Sequence, residues 1–213
     1  RPRMQLVALI AAHREPEQLA RLVRRLESSW PDVRAVVHID RSVDEAPFRE
    51  ACQSTSAEFF PHGVSVYWGH DSQVEAQLRL IEEALKKPFD WAVLLSGQCY
   101  PIQPLPALVE RLAADEGSGC IDIRHVATEW PEQEFRFSGY HMARLRVRAP
   151  RTHELVRRVI KRLPLRREPP DGVEFYGGSA WWCLPRTTLK IIANSRRENR
   201  KLRRSFRWTL CAD

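Results

Sequence analysis

Carboxylate, imidazole, hydroxyl and indole groups stand in this sequence at points where apolar runs end, which is where chemistry is done in an open α/β sheet. Asp40 follows the run Arg34–Ile39 and can accept hydrogen bonds from paired hydroxyls such as a ribose offers. His13 follows Gln5–Ala12 and can donate to a ligand, and Trp68 and the stretch Ser96–Gln98 close two further runs. Each has a plainer alternative: Asp40 could equally cap a turn, and His13 could equally bond only to backbone. Ser72 and Glu75 form an S-x-x-E capping box at a helix start, so Glu75 is read as a cap and not as a base. Trp181 and Trp182 follow two glycines that let the chain turn tightly. On alternate faces, one of them should enter the core and the other face a groove, where an aromatic plate suits a sugar ring.

Motifs that are missing narrow the chemistry. Neither GxGxxG nor GxxxxGK[ST] occurs, which removes the common dinucleotide and P-loop readings. No DxD occurs either, so a bound diphosphate would be neutralised by arginine or lysine. The charge is unevenly spread: residues 144–213 hold 19 basic and 6 acidic side chains, residues 1–143 hold 15 and 21. A basic half calls for an anionic partner, whether nucleic acid, membrane surface or phosphorylated small molecule, or else it is a solvated helix face.

The elements that must hold these residues are readable from periodicity. Gln5–Ala12 is too short and too apolar for anything but a buried strand, and Pro16 then opens a helix with Leu19, Leu22, Val23 and Leu26 on one face. Strands are expected at 34–39, 64–68, 91–96, 120–123 and 181–184, with helices at 72–86, across 105–112 and at 153–163. Residues 127–148 show no clean period and read as a long irregular surface segment, and 164–172 reads as a loop. The βαβ opening implies a parallel sheet with the strand-end residues gathered in one crevice.

At 213 residues, with 43% apolar and 29% charged side chains, the chain suits one globular domain. The longest apolar run, Leu6–Ala12, is far short of the roughly 20 residues a membrane-spanning helix needs. Five cysteines (Cys52, Cys99, Cys120, Cys183, Cys211) without CxxC spacing argue against a zinc site and against a full disulfide framework. A reducing, cytoplasmic compartment is expected; the alternative is the Golgi lumen or a membrane association, through an upstream anchor.

Taken together, Trp68-Gly69 with Ser72-x-Val-Glu-Ala76, then Leu94-Leu-Ser-Gly-Gln-Cys-Tyr-Pro-Ile102, then Tyr176-Gly-Gly-Ser-Ala-Trp181 resemble the core-2/I-branching β-1,6-N-acetylglucosaminyltransferase family, which also contains the peptide O-xylosyltransferases. The resemblance runs over nearly the whole chain. It implies an α/β, Rossmann-like nucleotide-diphosphosugar transferase fold of the GT-A type, with a mostly parallel central sheet flanked by helices and one catalytic domain over residues 1–213. It also implies an inverting, metal-independent transfer from a UDP-sugar to a glycan or other hydroxyl acceptor, with no cofactor and no nucleic acid. The donor side falls on His13, Asp40, Arg41, Trp68, Ser96 and Gly97, and the acceptor side on Asp122, Arg136 and Trp181.

Two departures from the family pattern bear on function. Cys99 stands where the family has aspartate in SGxDYP, and Ala180 stands where xylosyltransferases have aspartate, which favours the N-acetylglucosaminyl branch and a sugar acceptor. The family's general base is a glutamate whose position would directly follow Asp213, so no catalytic base is assigned within residues 1–213 and the domain is expected to be truncated at its C-terminal end. Two rival readings remain, a catalytically inactive glycan-binding relative and a basic nucleic-acid module.

Overall fold

A computed structural model describes residues 4–114, 117, 119–163, 165–170 and 172–210. In chain order the elements are β1 (Leu6–Ala12), α1 (Pro16–Ser29), β2 (Arg34–Ile39), α2 (Ala46–Ala51), β3 (Glu58–Phe59), α3 (Ser72–Leu85), β4 (Trp91–Ser96), α4 (Leu105–Ala114), β5 (Cys120–Ile121), β6 (Arg124–His125), α5 (Val126–Glu129), α6 (Phe135–Ser138), α7 (Ala143–Arg148), α8 (Pro150–Arg162), β7 (Tyr176–Gly177), β8 (Trp182–Pro185), α9 (Arg186–Glu198) and α10 (Arg200–Phe206). They fall into two compact units. The first comprises residues 1–65, 76–121 and 181–193; the second comprises 66–75, 122–180 and 194–213.

The first unit is built on a six-stranded sheet of order β3-β2-β1-β4-β8-β5. β1, β2, β3 and β4 run parallel, while β8 is antiparallel to β4 and to β5. Almost every side chain of β1 is buried, as expected for a central strand covered on both faces. Leu6, Ala8, Ile10 and Ala12 share one core with Leu19, Leu22, Val23 and Leu26 of α1, Phe48 of α2 and Cys52 just after it, and Leu105 and Leu112 of α4. The expected amphipathic spacing of α1 is therefore realised residue for residue. Two arginines cap α3 at its C-terminal end, where the helix carries no basic residue of its own. Arg34 donates to the Ala84 carbonyl (3.2 Å) and Arg186 to that of Leu85 (2.9 Å), placing cations at the negative end of the helix dipole.

The second unit contains a two-stranded antiparallel ribbon, β6 with β7, in which His125 pairs with Tyr176. Phe137 stacks on Phe175 with ring centroids 4.6 Å apart, and Arg167 ties the unit together. Its guanidinium donates to the Gly139 carbonyl (3.1 Å) and to the carbonyl and hydroxyl of Ser205 (2.6 and 2.7 Å).

Several sequence expectations are corrected. Residues 64–68 form no strand: the Val64 amide goes to the His38 ring and its carbonyl to the Arg41 amide, so its backbone groups are unavailable to a ladder. The sheet edge is taken instead by Glu58–Phe59, paired with Val36–Val37. Of the strand expected at 120–123 only Cys120–Ile121 forms, as β5, and the following strand, β6, belongs to a different sheet. Residues 127–148 are not irregular but hold a run of short helices, including a 3-10 turn at Pro131–Gln133. The Ser72–Glu75 capping box is replaced by another arrangement: the Ser72 hydroxyl accepts the Tyr67 amide (2.9 Å), and the Glu75 amide goes to the Asp71 carbonyl (2.9 Å).

Candidate functional site

β1 leads to β2 and β3 on one side, and β4 then pairs on its other side, so the order reverses between β1 and β4. The carboxyl ends flanking such a reversal form the natural ligand crevice of an open α/β sheet. His13 follows β1, Ser96 ends β4 directly opposite Ala11, and Asp40 stands level with His13 one step beyond the Ala12–Ile39 pair. Two main-chain bonds lock these ends together: Asp40 N–H to the Ala12 carbonyl and Gly97 N–H to the Ala11 carbonyl, both 2.9 Å. Five of the six donor-side candidates, His13, Asp40, Arg41, Ser96 and Gly97, thus lie on adjacent strand ends of the first unit.

Each has a definite local role. Asp40 is buried, and its Oδ1 accepts the Ser42 amide (2.8 Å), so the turn-capping alternative is realised. His13 and Arg41 are exposed. Gly97 is required by proximity: a Cβ there would lie 2.6 Å from the Ala12 Cβ. Ser96 anchors the turn into 97–99, its hydroxyl accepting the Gln98 amide (3.2 Å) and its carbonyl the Cys99 amide (3.0 Å). Cys99 Sγ in turn accepts the Ser96 amide at 3.3 Å. The thiol therefore serves the chain's own backbone as a hydrogen-bond acceptor.

Two contributors escaped the sequence reading, and the first is the charged pair Arg14–Glu15, which meets the already expected Gln98. Gln98 bridges Arg14 and Glu15, its Oε1 accepting from the Arg14 guanidinium (2.9 Å) and its Nε2 donating to Glu15 Oε2 (3.1 Å). Glu15 holds φ 58°, the one left-handed backbone among the described non-glycine residues. The only local signal was a charged pair directly after a strand-end histidine. His38 is the other: buried in β2, it holds the 63–64 loop against the Asp40–Arg41 turn through the Val64 amide.

Trp68 belongs to the second unit, half exposed, with the Arg146 guanidinium 4.6 Å over its ring. The acceptor candidates divide. Trp181 lies in the first unit, half exposed, and Trp182 is half-buried; core contact on this strand is made by Cys183, contrary to the expectation that one indole would fill the core. Asp122 and Arg136 lie in the second unit, gathered around Trp130. The Arg136 guanidinium sits 5.9 Å from the Trp130 ring centroid, and Asp122 lies 3.8 Å from the Arg124 guanidinium, itself 5.9 Å from the same ring. The glycine pair closes this cluster by close approach and not by a tight turn. A Cβ on Gly178 would lie 1.9 Å from the Asp122 carbonyl oxygen, and one on Gly177 would lie 2.8 Å from the Trp130 ring.

Among the described residues no group of three or more His, Cys, Asp or Glu could hold a metal ion, and no helix is long and apolar enough to cross a membrane. Cys211–Asp213, beside which the resemblance puts the general base, lie outside the described residues.

The model of the Core-2/I-Branching enzyme family matches residues 9–212. The chain belongs to that family. Its sheet, parallel except at one side and flanked by helices, is the GT-A type of fold expected of such a member. A curated relative, the rat β-1,3-galactosyl-O-glycosyl-glycoprotein β-1,6-N-acetylglucosaminyltransferase 3, is 24% identical over 204 residues, covering 92% of this chain and 41% of that protein. The chain thus spans about two fifths of that relative. Among solved structures, 4-diphosphocytidyl-2C-methyl-D-erythritol synthase aligns with a TM-score of 0.46 and 13% identity over 94% of this chain and 87% of that one. Glucosyl-3-phosphoglycerate synthase from Mycobacterium tuberculosis, crystallised with Mn2+, UDP and phosphoglyceric acid, aligns with a TM-score of 0.41 and 16% identity over 86% and 56%.

Proposed function

We propose that this chain carries the sugar-nucleotide site of an inverting glycosyltransferase that moves N-acetylglucosamine from its UDP conjugate to a hydroxyl of a glycan, without a metal ion. The observation that carries this reading is the convergence of His13, Asp40, Arg41, Ser96 and Gly97 at the switch point of the sheet in a Core-2/I-branching enzyme. Asp40 and His13 would face the uridine and ribose. Asp122 and Arg136, both in the second unit, would face the acceptor sugar.

The reaction would be a direct displacement in which the acceptor hydroxyl loses its proton to a carboxylate base and attacks the anomeric carbon as UDP leaves from the opposite face. No base is assigned among the described residues. Negative charge growing on the leaving diphosphate needs fixed donors, and guanidinium groups supply them at short, charge-assisted hydrogen bonds. Arg14 and Arg41 are the exposed cations nearest the switch point in sequence. The lack of any DxD in the sequence supports the metal-free form of the reading. An odd set of five cysteines without CxxC spacing supports a reducing, cytoplasmic setting.

Calorimetric titration of UDP into the protein with EDTA present tests this. Saturable binding that weakens at least tenfold in Asp40→Ala is expected; binding that requires a divalent ion, or no binding, would sink the proposal. Cys99 favours a second reading, a glycan-binding relative that no longer turns over. Such a protein would bind glycan while leaving UDP-sugar intact, whereas the enzyme releases UDP. The nucleic-acid reading loses ground because Arg157, Arg158, Arg166, Arg167 and Arg186 of the basic half are engaged within their own units.

A further inference from the structure

Helix α8 carries an apolar face wider than its packing requires. Val156 and Ile160 are half-buried, but Leu155, Val159 and Leu163, spaced i, i+4, i+8 on the adjoining face, are 64%, 51% and 49% exposed. Arg151, Arg158 and Arg162 are exposed on the flank of that stripe, since they fall within about 60° of Leu155 at 100° per residue. Two of the nearby acidic groups are already used. Glu154 is chelated by Arg157 (2.8 and 2.9 Å) and bonded by Arg158 (3.2 Å), and Glu134 is paired with Arg166. Arg151 and Arg162 have no carboxylate within ion-pair distance among the described residues. Leu163, at the helix end, also lines an open groove of about 610 Å3 whose walls include Glu132 and Glu134 beside Phe135, Leu165 and Arg166.

We propose that the outer face of α8 is a docking surface for an anionic lipid bilayer. The charge complementarity is specific to such a surface. Arginine heads at the helix flank meet lipid phosphates, while Leu155, Val159 and Leu163 enter the acyl boundary, the arrangement of a helix lying in the interface plane. Exposed aliphatic side chains beside the arginines would have nothing to contact on a nucleic-acid backbone. Peripheral docking of this kind requires no membrane-spanning helix.

The test is co-sedimentation of the whole chain with phosphatidylcholine vesicles made with or without phosphatidylglycerol. The protein should pellet with the anionic vesicles and stay in solution with the neutral ones, and salt should weaken the binding without abolishing it. Arg151→Gln with Arg162→Gln should weaken binding about thirtyfold, at roughly 1 kcal/mol per cation near the surface. Leu155→Gln with Val159→Gln should weaken it by about tenfold or more and remove the salt-resistant part. All four positions are exposed, so circular dichroism should report unchanged melting; the arginine pair is the independent arm if the apolar pair melts early. Absence of vesicle binding, or equal binding by Leu155→Gln/Val159→Gln, would overturn the proposal. So would tighter binding to a single-stranded oligonucleotide than to vesicles, or a concentration-dependent dimer that the apolar pair abolishes.

Discussion

The ring of His38 accepts the main-chain N–H of Val64 at its Nε2, 2.8 Å away, and the carbonyl of the same Val64 accepts the amide of Arg41 at 3.3 Å. A residue two places upstream of Asp40 thereby fixes the loop that lies over the Asp40–Arg41 turn. The approach is close enough that a Cβ on Gly63 would stand 2.3 Å from the Ile39 carbonyl oxygen. Because Nε2 is the acceptor, the neutral ring carries its proton on Nδ1.

Burial pushes the His38 pKa below its ordinary 6.5, against the upward pull of Asp40, a backbone hydrogen bond and Glu45. The unfolded chain then binds a proton that the folded one refuses, so stability is held above pH 6.5 and falls as the pH drops through that value towards the lower folded pKa. Over that window this one group adds a positive slope whose ceiling is about 1.4 kcal/mol per pH unit. Urea denaturation of the wild type and of His38→Gln at a series of pH values checks it. The variant should be less stable at pH 8 and lose that part of the slope; parallel profiles would refute the assignment.

Gly97→Ala forces a Cβ against that of Ala12, and neither is a flexible side-chain end that can swing away. The ends of β1 and β4 must separate, at about 1–3 kcal/mol of overpacking strain. Since His13 and Ser96 ride on those ends, UDP affinity should fall along with the melting temperature. Loss of stability with UDP affinity intact would place the ligand elsewhere.

Cys99→Ala leaves the half-buried Ser96 amide without its sulfur acceptor, at a cost of about 1–3 kcal/mol. Cys99→Asp offers that amide a stronger oxygen acceptor and should retain or exceed wild-type stability. Thermal melts of the pair decide whether the thiol is a substitute for the carboxylate of the family pattern. If the alanine variant is as stable as the wild type, it is not.

The sequence was readable wherever short-range pattern and final environment agree. β1, β2 and β4 are near-continuous apolar runs because both faces of their sheet are covered, and α1 shows its buried face as a clean 3.6 period. Strand ends then nominate His13, Asp40 and Ser96–Gly97 by rule. What escaped depends on contacts distant in sequence: Arg14 meets Gln98 84 positions away, and His38 meets Val64 26 positions away. Val64–Trp68 has strand-like composition, but its leading amide and carbonyl are spent on that same loop contact, while Glu58–Phe59, too short to show a period, becomes the edge.

Arg167→Lys should be a costly change for a residue that composition alone would count as one more surface cation. A single ammonium cannot reproduce the planar fork that reaches the Gly139 carbonyl together with the carbonyl and hydroxyl of Ser205. The guanidinium also lies 5.7 Å over the Tyr140 ring. A loss of roughly 1.5–3 kcal/mol is expected, consistent with charge-assisted bonds left unmade. Faster hydrogen exchange at residues 138–141 and 203–209 should accompany it, and unchanged exchange there would mean the fork contributes nothing.

The two glycines of the Tyr176-Gly-Gly-Ser179 turn should respond very differently to alanine. At Gly177 the obstacle is the Trp130 ring, 2.8 Å from the new Cβ, and an indole can tilt by a few tenths of an ångström. At Gly178 it is the Asp122 carbonyl oxygen, 1.9 Å away, and a backbone atom between β5 and β6 cannot move without displacing Asp122 itself. Gly177→Ala should therefore cost about 1–3 kcal/mol, and Gly178→Ala should exceed it. The proposed acceptor role makes the same comparison functional. Gly178→Ala should weaken binding of an acceptor oligosaccharide while UDP binding, read on the first unit, is retained. Equal effects of the two variants on stability would contradict the close approach, and acceptor binding untouched by Gly178→Ala would remove Asp122 from the site.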